Sequence, residues 1–401
     1  MFRLLLMLAV MSSGGVRKPP SDPTYFVILG TPDQFSSEFP PRSPESARQL
    51  GFGIVLFTLS TPVADLRCQV VAALNTSQKT GYPLLIHLDD WNFSPPSSDP
   101  NWVEWTGFPQ PGEKHGPLVK RRWLNWGQWT DTGPPPDYES PTFKAFMRKQ
   151  IEDGVVKPLA ARLRQWRKEA RAYLFAGLVV GWESGYYTMS SIPHPRPVSG
   201  KETFNNSEVV TTGYAALTHL GYTAKRLANE AKAEGITEQT LFRRLMIKVV
   251  HNYTEFLCRV CVRGGIPRNR IYTHYTPSST VMSPAQIASD GRLLPVSTAV
   301  NPYSRPGYTM THGWMNPDKV VSEIHKSGRR KWGAVEMEIV PGANTERACL
   351  EQFNWLASHG AMVLCLYGWG EPKGQMFAVR STGAPAAIKR WLSAPLIAPG
   401  K

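Results

Sequence analysis

The chain has 401 residues, 42% hydrophobic and 19% charged, enough for two or three average domains or for one large α/β barrel with insertions. That composition excludes a disordered chain and a coiled coil, and no apolar run approaches the roughly 20 residues of a membrane span. Lysine and arginine number 45 against 31 acids, a formal charge of +14 that favours an anionic partner, but the charge is spread along the chain without a zinc finger, ribonucleoprotein motif or basic tail, which argues against nucleic acid.

The first residues, MFRLLLMLAVMSSGG, combine an early arginine, a short apolar run and small residues, the pattern of a signal peptide. Residues 1–20 are therefore expected to be a leader and tail, residues 21–401 the folded unit, and the location secreted or periplasmic. From there, apolar and β-branched runs mark eight strands, at 24–30, 53–59, 83–89, 175–183, 270–275, 293–300, 332–340 and 361–369. Helical patterns lie between them at 43–50, 62–77, 141–170, 214–262, 283–289, 317–328 and 345–360, with a closing helix at 384–393. Several of these helices open on Ser, Thr or Pro, which suit a helix N-terminus. Near-continuous apolar strands such as LLIHL and MVLCL suit a parallel sheet covered on both faces. No Gly-x-Gly-x-x-Gly follows an early strand, as a dinucleotide-binding sheet would want. The reading is a single (β/α)8 TIM barrel, with an open doubly wound sheet as the runner-up.

Long insertions follow strands three and four. Residues 91–140 hold six of the 13 tryptophans (Trp91, Trp102, Trp105, Trp123, Trp126, Trp129) and the basic run Lys120, Arg121, Arg122; residues 184–213 include Tyr186, Tyr187, His194 and Arg196. Both leave the C-terminal ends of strands, the face on which barrel enzymes build their sites. The five cysteines, Cys68, Cys258, Cys261, Cys349 and Cys365, are too few and too scattered for a disulfide framework, and Cys258 and Cys261 read as small buried residues on a helix.

The strand ends give the chemistry. Strand three ends in His87, Asp89, Asp90 and Trp91; strand four in Trp182, Glu183 and Ser184; strand five in His274, Tyr275 and Thr276. Strand six runs into Asn301, Tyr303 and Arg305, strand seven carries Glu336 and Glu338, and strand eight ends in Tyr367, Trp369 and Glu371. A metal hydrolase would place several histidine ligands here, and acyl transfer would want a Gly-x-Ser-x-Gly elbow. Acids beside flat aromatic rings suit a sugar instead. Glycoside hydrolysis needs one carboxyl to protonate the leaving oxygen and a second to attack the anomeric carbon or activate water.

Glu183 beside Trp182 is the natural proton donor, because apolar surface favours its protonated form. Glu336 and Glu338 share one strand face. Glu338, nearer the C-terminal end, is the preferred nucleophile, and Glu336 is its alternative or a substrate contact. Asp89 and Asp90 suit sugar hydroxyls or an Asx turn, with Asp90 an alternative catalytic acid. Trp91, Trp182, His274, Tyr275, Asn301, Tyr303 and Trp369 complete the substrate-binding candidates. Lys120, Arg121 and Arg122 are candidates for reading an acidic sugar or for a solvated face. No metal or cofactor is implied.

The segments VVGWESG and GAVEMEIV resemble the clan A glycoside hydrolases, retaining (β/α)8 enzymes with the acid/base on strand four and the nucleophile on strand seven. The resemblance implies Glu183 as acid/base, Glu338 as nucleophile and Trp369 as a sugar platform, with an oligosaccharide or glycoside as substrate; the basic charge adds an anionic sugar to the candidates. Trp182 stands where many members carry Asn, and barrel enzymes of the β-amylase type, which invert, also use acids on these strands. A carbohydrate-binding barrel without catalysis, and a barrel lyase or isomerase using an ion among Asp89, Asp90 and Glu338, are the other readings.

Overall fold

The computed structural model describes residues 22–90, 99–118, 122–125, 129–132, 135–185, 211–277, 293–310, 317–339, 345–370 and 379–394. The expected leader, Trp91, Lys120, Arg121, Trp126, Tyr186, Tyr187, His194, Arg196, Glu371 and the helix at 283–289 lie outside them.

Eight parallel strands form the barrel: β1 (Thr24–Leu29), β2 (Arg48–Phe57), β3 (Leu84–Asp89), β4 (Phe175–Val180), β5 (Ile271–Thr273), β6 (Gly307–Met310), β7 (Trp332–Met337) and β8 (Ala361–Leu366). Each ladder joins neighbours in chain order and β8 returns to β1. The remaining seam, β5 to β6, closes through the parallel bridges Tyr272 to Arg305 and Tyr275 to Tyr308. Gly307 makes that approach feasible, since a Cβ there would sit 2.1 Å from the Thr273 carbonyl oxygen.

The helices are α1 (Val63–Thr80), α2 (Pro141–Lys149), α3 (Lys157–Lys168), α4 (Tyr214–His219), α5 (Ala224–Ala233), α6 (Glu238–Arg263), α7 (Pro317–Lys326), α8 (Glu346–Ser358) and α9 (Ala384–Ser393). Helices α2 and α3 run on through a π-helical stretch, Gln150–Val156. Ser140 and Thr345 cap α2 and α8 with their hydroxyls; Thr345 opens the helix expected at 345–360, and Ser140 precedes the one expected at 141–170. Period-two alternation divides the apolar residues. Tyr25, Val27, Leu85, Val179, Tyr272, Val335 and Val363 fill the barrel. Phe26, Leu50, Ile86, Leu178, Leu364 and Trp391 pack in the larger cluster with the helices.

Two sequence expectations fail. The helix at 43–50 is absent and its last residues begin β2. The strand at 293–300 is a short pairing at Leu293–Leu294 followed by a 3-10 turn, Val296–Ala299. Pro295 breaks the run, and the true sixth strand, GYTM, follows Pro306.

Candidate active site at the barrel mouth

Beyond β4 the backbone turns sharply into the mouth. Gly181 has φ 77° and Glu183 φ 47°. Glycine adopts this left-handed region freely, whereas a residue with a Cβ is strained there by about 1–2 kcal/mol, so the surroundings must hold Glu183. Its N–H donates to the His274 carbonyl at 3.1 Å. Its Oε1 accepts the hydroxyls of Thr276 and Thr309, each at 2.7 Å.

The network then steps round the barrel one strand at a time. His274, just past β5, places Nε2 2.8 Å from the Thr309 hydroxyl of β6 and 3.3 Å from Oε2 of Glu336 on β7. Thr309 has one hydroxyl hydrogen and gives it to Glu183, so His274 Nε2 must carry the proton and donate to Thr309. Nδ1 of His274 is buried and has no hydrogen-bond partner among the described residues. Donor atoms of Glu183, His274 and Glu336 lie within 4.8 Å of one another, the one such grouping of metal-ligand types found among the described residues. The nitrogen facing it is a hydrogen donor, and a metal needs its lone pair. The arrangement suits proton chemistry better than metal ligation.

Burial dominates the electrostatics. It raises the Glu336 carboxyl above the usual range; the contact with His274 works against that, and the charges of Glu183 and Asp89 add to it. Glu338 is raised by burial and then by the charges of Glu336 and Glu183. His87, on the inner face of β3, is held well below its ordinary value by burial and by His274. It lies 3.6 Å from the Cys365 sulfur, whose thiol burial pushes up. Trp182 packs edge-on against both histidines, with ring centroids 5.2 Å from His87 and 4.9 Å from His274. At 6% exposure it forms the wall of this buried centre.

The predicted site residues fall into two sets. Glu183, His274, Glu336 and Glu338 converge, with Asp89 close enough to act on Glu336. Glu336, rather than Glu338, is the strand-seven acid in the grouping with Glu183.

The other set points elsewhere. Asp90 alternates outward from Asp89, is fully buried, and takes the Ser184 hydroxyl at 3.2 Å beside Tyr253 of α6. It does not present a carboxylate to a sugar. Tyr275 also points outward, donating to Thr254 Oγ1 at 2.5 Å on α6. Asn301 and Tyr303 precede β6 instead of following a strand. Asn301 donates to Ser304 at 2.9 Å, and its carbonyl accepts from Arg329, which lies just before β7. Both residues therefore sit at the N-terminal end of the barrel, with the ion pair of Arg305 and Asp22 (2.7 Å). Trp369 is 1% exposed, tilted against Phe39, with its indole N–H donating to the Gln34 carbonyl. It is a packing residue here and not a sugar platform. In the tryptophan-rich insertion, Trp102 packs on Phe143 and Phe146. The neighbouring Glu104 accepts the backbone N–H groups of Gly213, Ala215 and Ala216, tying the insertion to the start of α4.

Sequence reasoning passed over the two threonines that hold Glu183. Thr276 was visible at the end of strand five, but a hydroxyl carries no catalytic signature. Thr309 was hidden by the misplaced sixth strand.

No protein-family model matches the chain, and no curated protein matches it. Among solved structures the fold is similar to that of the catalytic domain of β-amylase from Paenibacillus polymyxa. The TM-score is 0.51 at 9% identity, over 94% of this chain and 100% of that one. A likeness at that identity is one of fold, and it agrees with the closed eight-stranded barrel.

Proposed function

We propose that the protein is a glycoside hydrolase that cleaves O-glycosidic bonds with two carboxyls, Glu183 as acid/base and Glu338 as nucleophile. The observation that carries this reading is the convergence, at the C-terminal mouth of a parallel barrel, of an acid from the end of β4 with acids from β7, near enough for each to act on another's ionisation. The fold likeness to a β-amylase catalytic domain supports the same class. Both are partly exposed, but Glu336 is packed against His274 one step deeper in the barrel with its Oε2 buried, whereas Glu338 follows the last residue of β7. An attacking group must reach the anomeric carbon, which favours Glu338.

In the forward step Glu183 gives its proton to the leaving oxygen while Glu338 bonds to the anomeric carbon. Glu183 then takes a proton from the water that displaces Glu338. Asp89, at the end of β3, is placed to hydrogen-bond a sugar hydroxyl. The charge of +14 favours an anionic sugar among the substrates.

The test is a panel of aryl glycosides that includes uronides. Purified protein is expected to turn over at least one of them, and Glu183→Gln and Glu338→Gln are each expected to lose about 10³-fold or more. The first product should keep the anomeric configuration of the substrate by NMR, and azide should rescue Glu338→Gly. An inverted product would make Glu338 a general base, and undiminished turnover in either variant would overturn the assignment.

A further inference from the structure

Glu336 is an acid that the two-carboxyl mechanism does not use, yet it lies within 4.8 Å of the Glu183 carboxyl. Its titratable neighbours come from five strands or strand ends. They are Asp89 at the end of β3, Glu183 after β4, His274 after β5, Glu338 after β7, Cys365 of β8 and Tyr367 just after it. Among the described residues no lysine or arginine pairs with it. A cysteine thiol and a tyrosine hydroxyl pushed up by burial bring no positive charge. His274 is the one group that could, but its Nε2 hydrogen is already committed to Thr309, and a second hydrogen on Nδ1 would be a buried donor with no acceptor among the described residues. The ring is accommodated as the neutral Nε2–H tautomer. A largely buried carboxylate without a cation is expensive, and among the described residues the remaining source of compensation is its own proton.

We propose that Glu336 works as an un-ionised carboxyl, a positioning residue that packs against His274 and keeps the three glutamates, Glu183, Glu336 and Glu338, at one negative charge between them throughout the reaction. This rests on the glycosidase reading above and deepens it. In the resting enzyme the charge is on Glu338 and the proton on Glu183. When the glycosidic bond breaks, the proton leaves Glu183 with the departing alcohol, Glu338 becomes the neutral glycosyl ester, and the charge moves to Glu183. Water then adds to the anomeric carbon, gives its proton to Glu183 and releases Glu338 as the carboxylate. That total is one rather than two only while Glu336 keeps its proton. An ionised Glu336 would make Glu183 give up its proton against a second charge in a desolvated site.

The isosteric, permanently neutral variant Glu336→Gln tests this. It is expected to keep kcat/KM within about tenfold of wild type at neutral pH, whereas the variants at Glu183 and Glu338 lose about 10³-fold or more. The Glu336→Gln profile should also reach further into the alkaline range, because the group whose ionisation adds the second charge is gone. Independently of turnover, the infrared difference between wild type and Glu336→Gln at neutral pH should contain the carbonyl stretch of an un-ionised carboxyl, and that band should fade as pH rises. The proton on Asp90 is common to both proteins and cancels. Absence of the band overturns the proposal. So does a folded Glu336→Gln without activity, and azide rescue of Glu336→Gly would identify Glu336 as the attacking carboxylate. If wild type hydrolyses no glycoside, the glycosidase reading fails, and the infrared band still decides the state of Glu336.

Discussion

Replacing Asp90 by asparagine should cost stability in acid and recover it, relative to wild type, as the pH rises. Asp90 has no solvent exposure. One oxygen accepts the Ser184 hydroxyl at 3.2 Å, and Oδ2 is buried without a hydrogen-bond partner among the described residues. Burial pushes the carboxyl up to about 7 from an ordinary 3.8, with the help of the Asp89 charge and against the nearby Tyr253 hydroxyl and the Ser184 hydrogen bond. The folded protein therefore holds a proton that the unfolded chain gives up near pH 4. Below that, both states are protonated and there is no penalty. Between about pH 4 and 7 folding loses about 1.4 kcal/mol per pH unit, and above the folded value the loss levels off at about 4 kcal/mol. Asparagine cannot ionise, keeps an oxygen for Ser184 and has the same shape. Its extra buried N–H costs about 1–3 kcal/mol at every pH, so the diagnostic is the change of the difference with pH. Urea unfolding at pH 4, 6 and 8 should show Asp90→Asn gaining up to about 4 kcal/mol on wild type between the two extremes. A difference that stays flat from pH 4 to 8 would mean that Asp90 ionises as freely folded as unfolded, and the burial argument would be wrong.

Thr309→Val removes one of the two hydroxyls on Glu183 Oε1 and the acceptor for His274 Nε2; kcat on an aryl glycoside should fall by about tenfold or more and return in Thr309→Ser. The acid limb of kcat/KM should lie above the usual glutamate range, because Glu338 must be ionised to attack and burial with the neighbouring charges raises it; a limb at the ordinary value would exclude it as the nucleophile. At the opposite end of the barrel Asp22 takes Arg305 at 2.7 Å and Lys331 at 2.6 Å. Burial alone would raise its carboxyl, but these hydrogen bonds outweigh it and hold the group below its ordinary value. Its contribution is present above about pH 4 and lost as pH falls further, so Asp22→Ala should cost about 1–3 kcal/mol in thermal or urea unfolding at pH 7 and less at pH 3. Gly307→Ala places a Cβ 2.1 Å from the Thr273 carbonyl; it should destabilise by several kcal/mol in the same assay, about 3 or more for a clash with backbone.

Where a strand buries both faces, the sequence shows it. FVIL of β1, LLIHL of β3, LVV of β4 and MVLCL of β8 are continuous apolar runs with no competing pattern, and the order of strands and helices around them leads to the barrel. Strand β6 has no such run. Its four residues, GYTM, are chosen for close backbone approach at Gly307 and for a hydroxyl at Thr309, and the longer apolar segment LLPVSTAV, broken by Pro295, draws the assignment away. That single displacement put Asn301 and Tyr303 on the wrong end of the barrel and concealed Thr309. Asp90 and Tyr275 were misjudged for a different reason. Both adjoin inward-facing residues, and only the exact register decides that Asp89 and His274 turn inward while their neighbours meet α6. The left-handed backbone of Glu183 has no signature at all in a Trp-Glu-Ser triplet, since it depends on hydroxyls from strands about 90 and 125 residues away.

The same facts show why the acids and the barrel closure belong to one problem. From Glu183 the hydrogen bonds reach Thr276 and Thr309, and His274 spans from Thr309 to Glu336, so the network crosses β5 and β6 on its way from β4 to β7. Those two strands form the seam that closes through single backbone bridges instead of a continuous ladder. A shift of one residue there would turn Thr309 outward and bring Tyr308 in its place, leaving Glu183 without one of the hydroxyls that hold its strained backbone. The side-chain network therefore supports the seam, and the seam in turn sets the network's geometry. Exchange of proton and charge between a β4 acid and a β7 acid requires both to hold, which places the constraint on Gly307 and Thr309 as much as on the glutamates themselves.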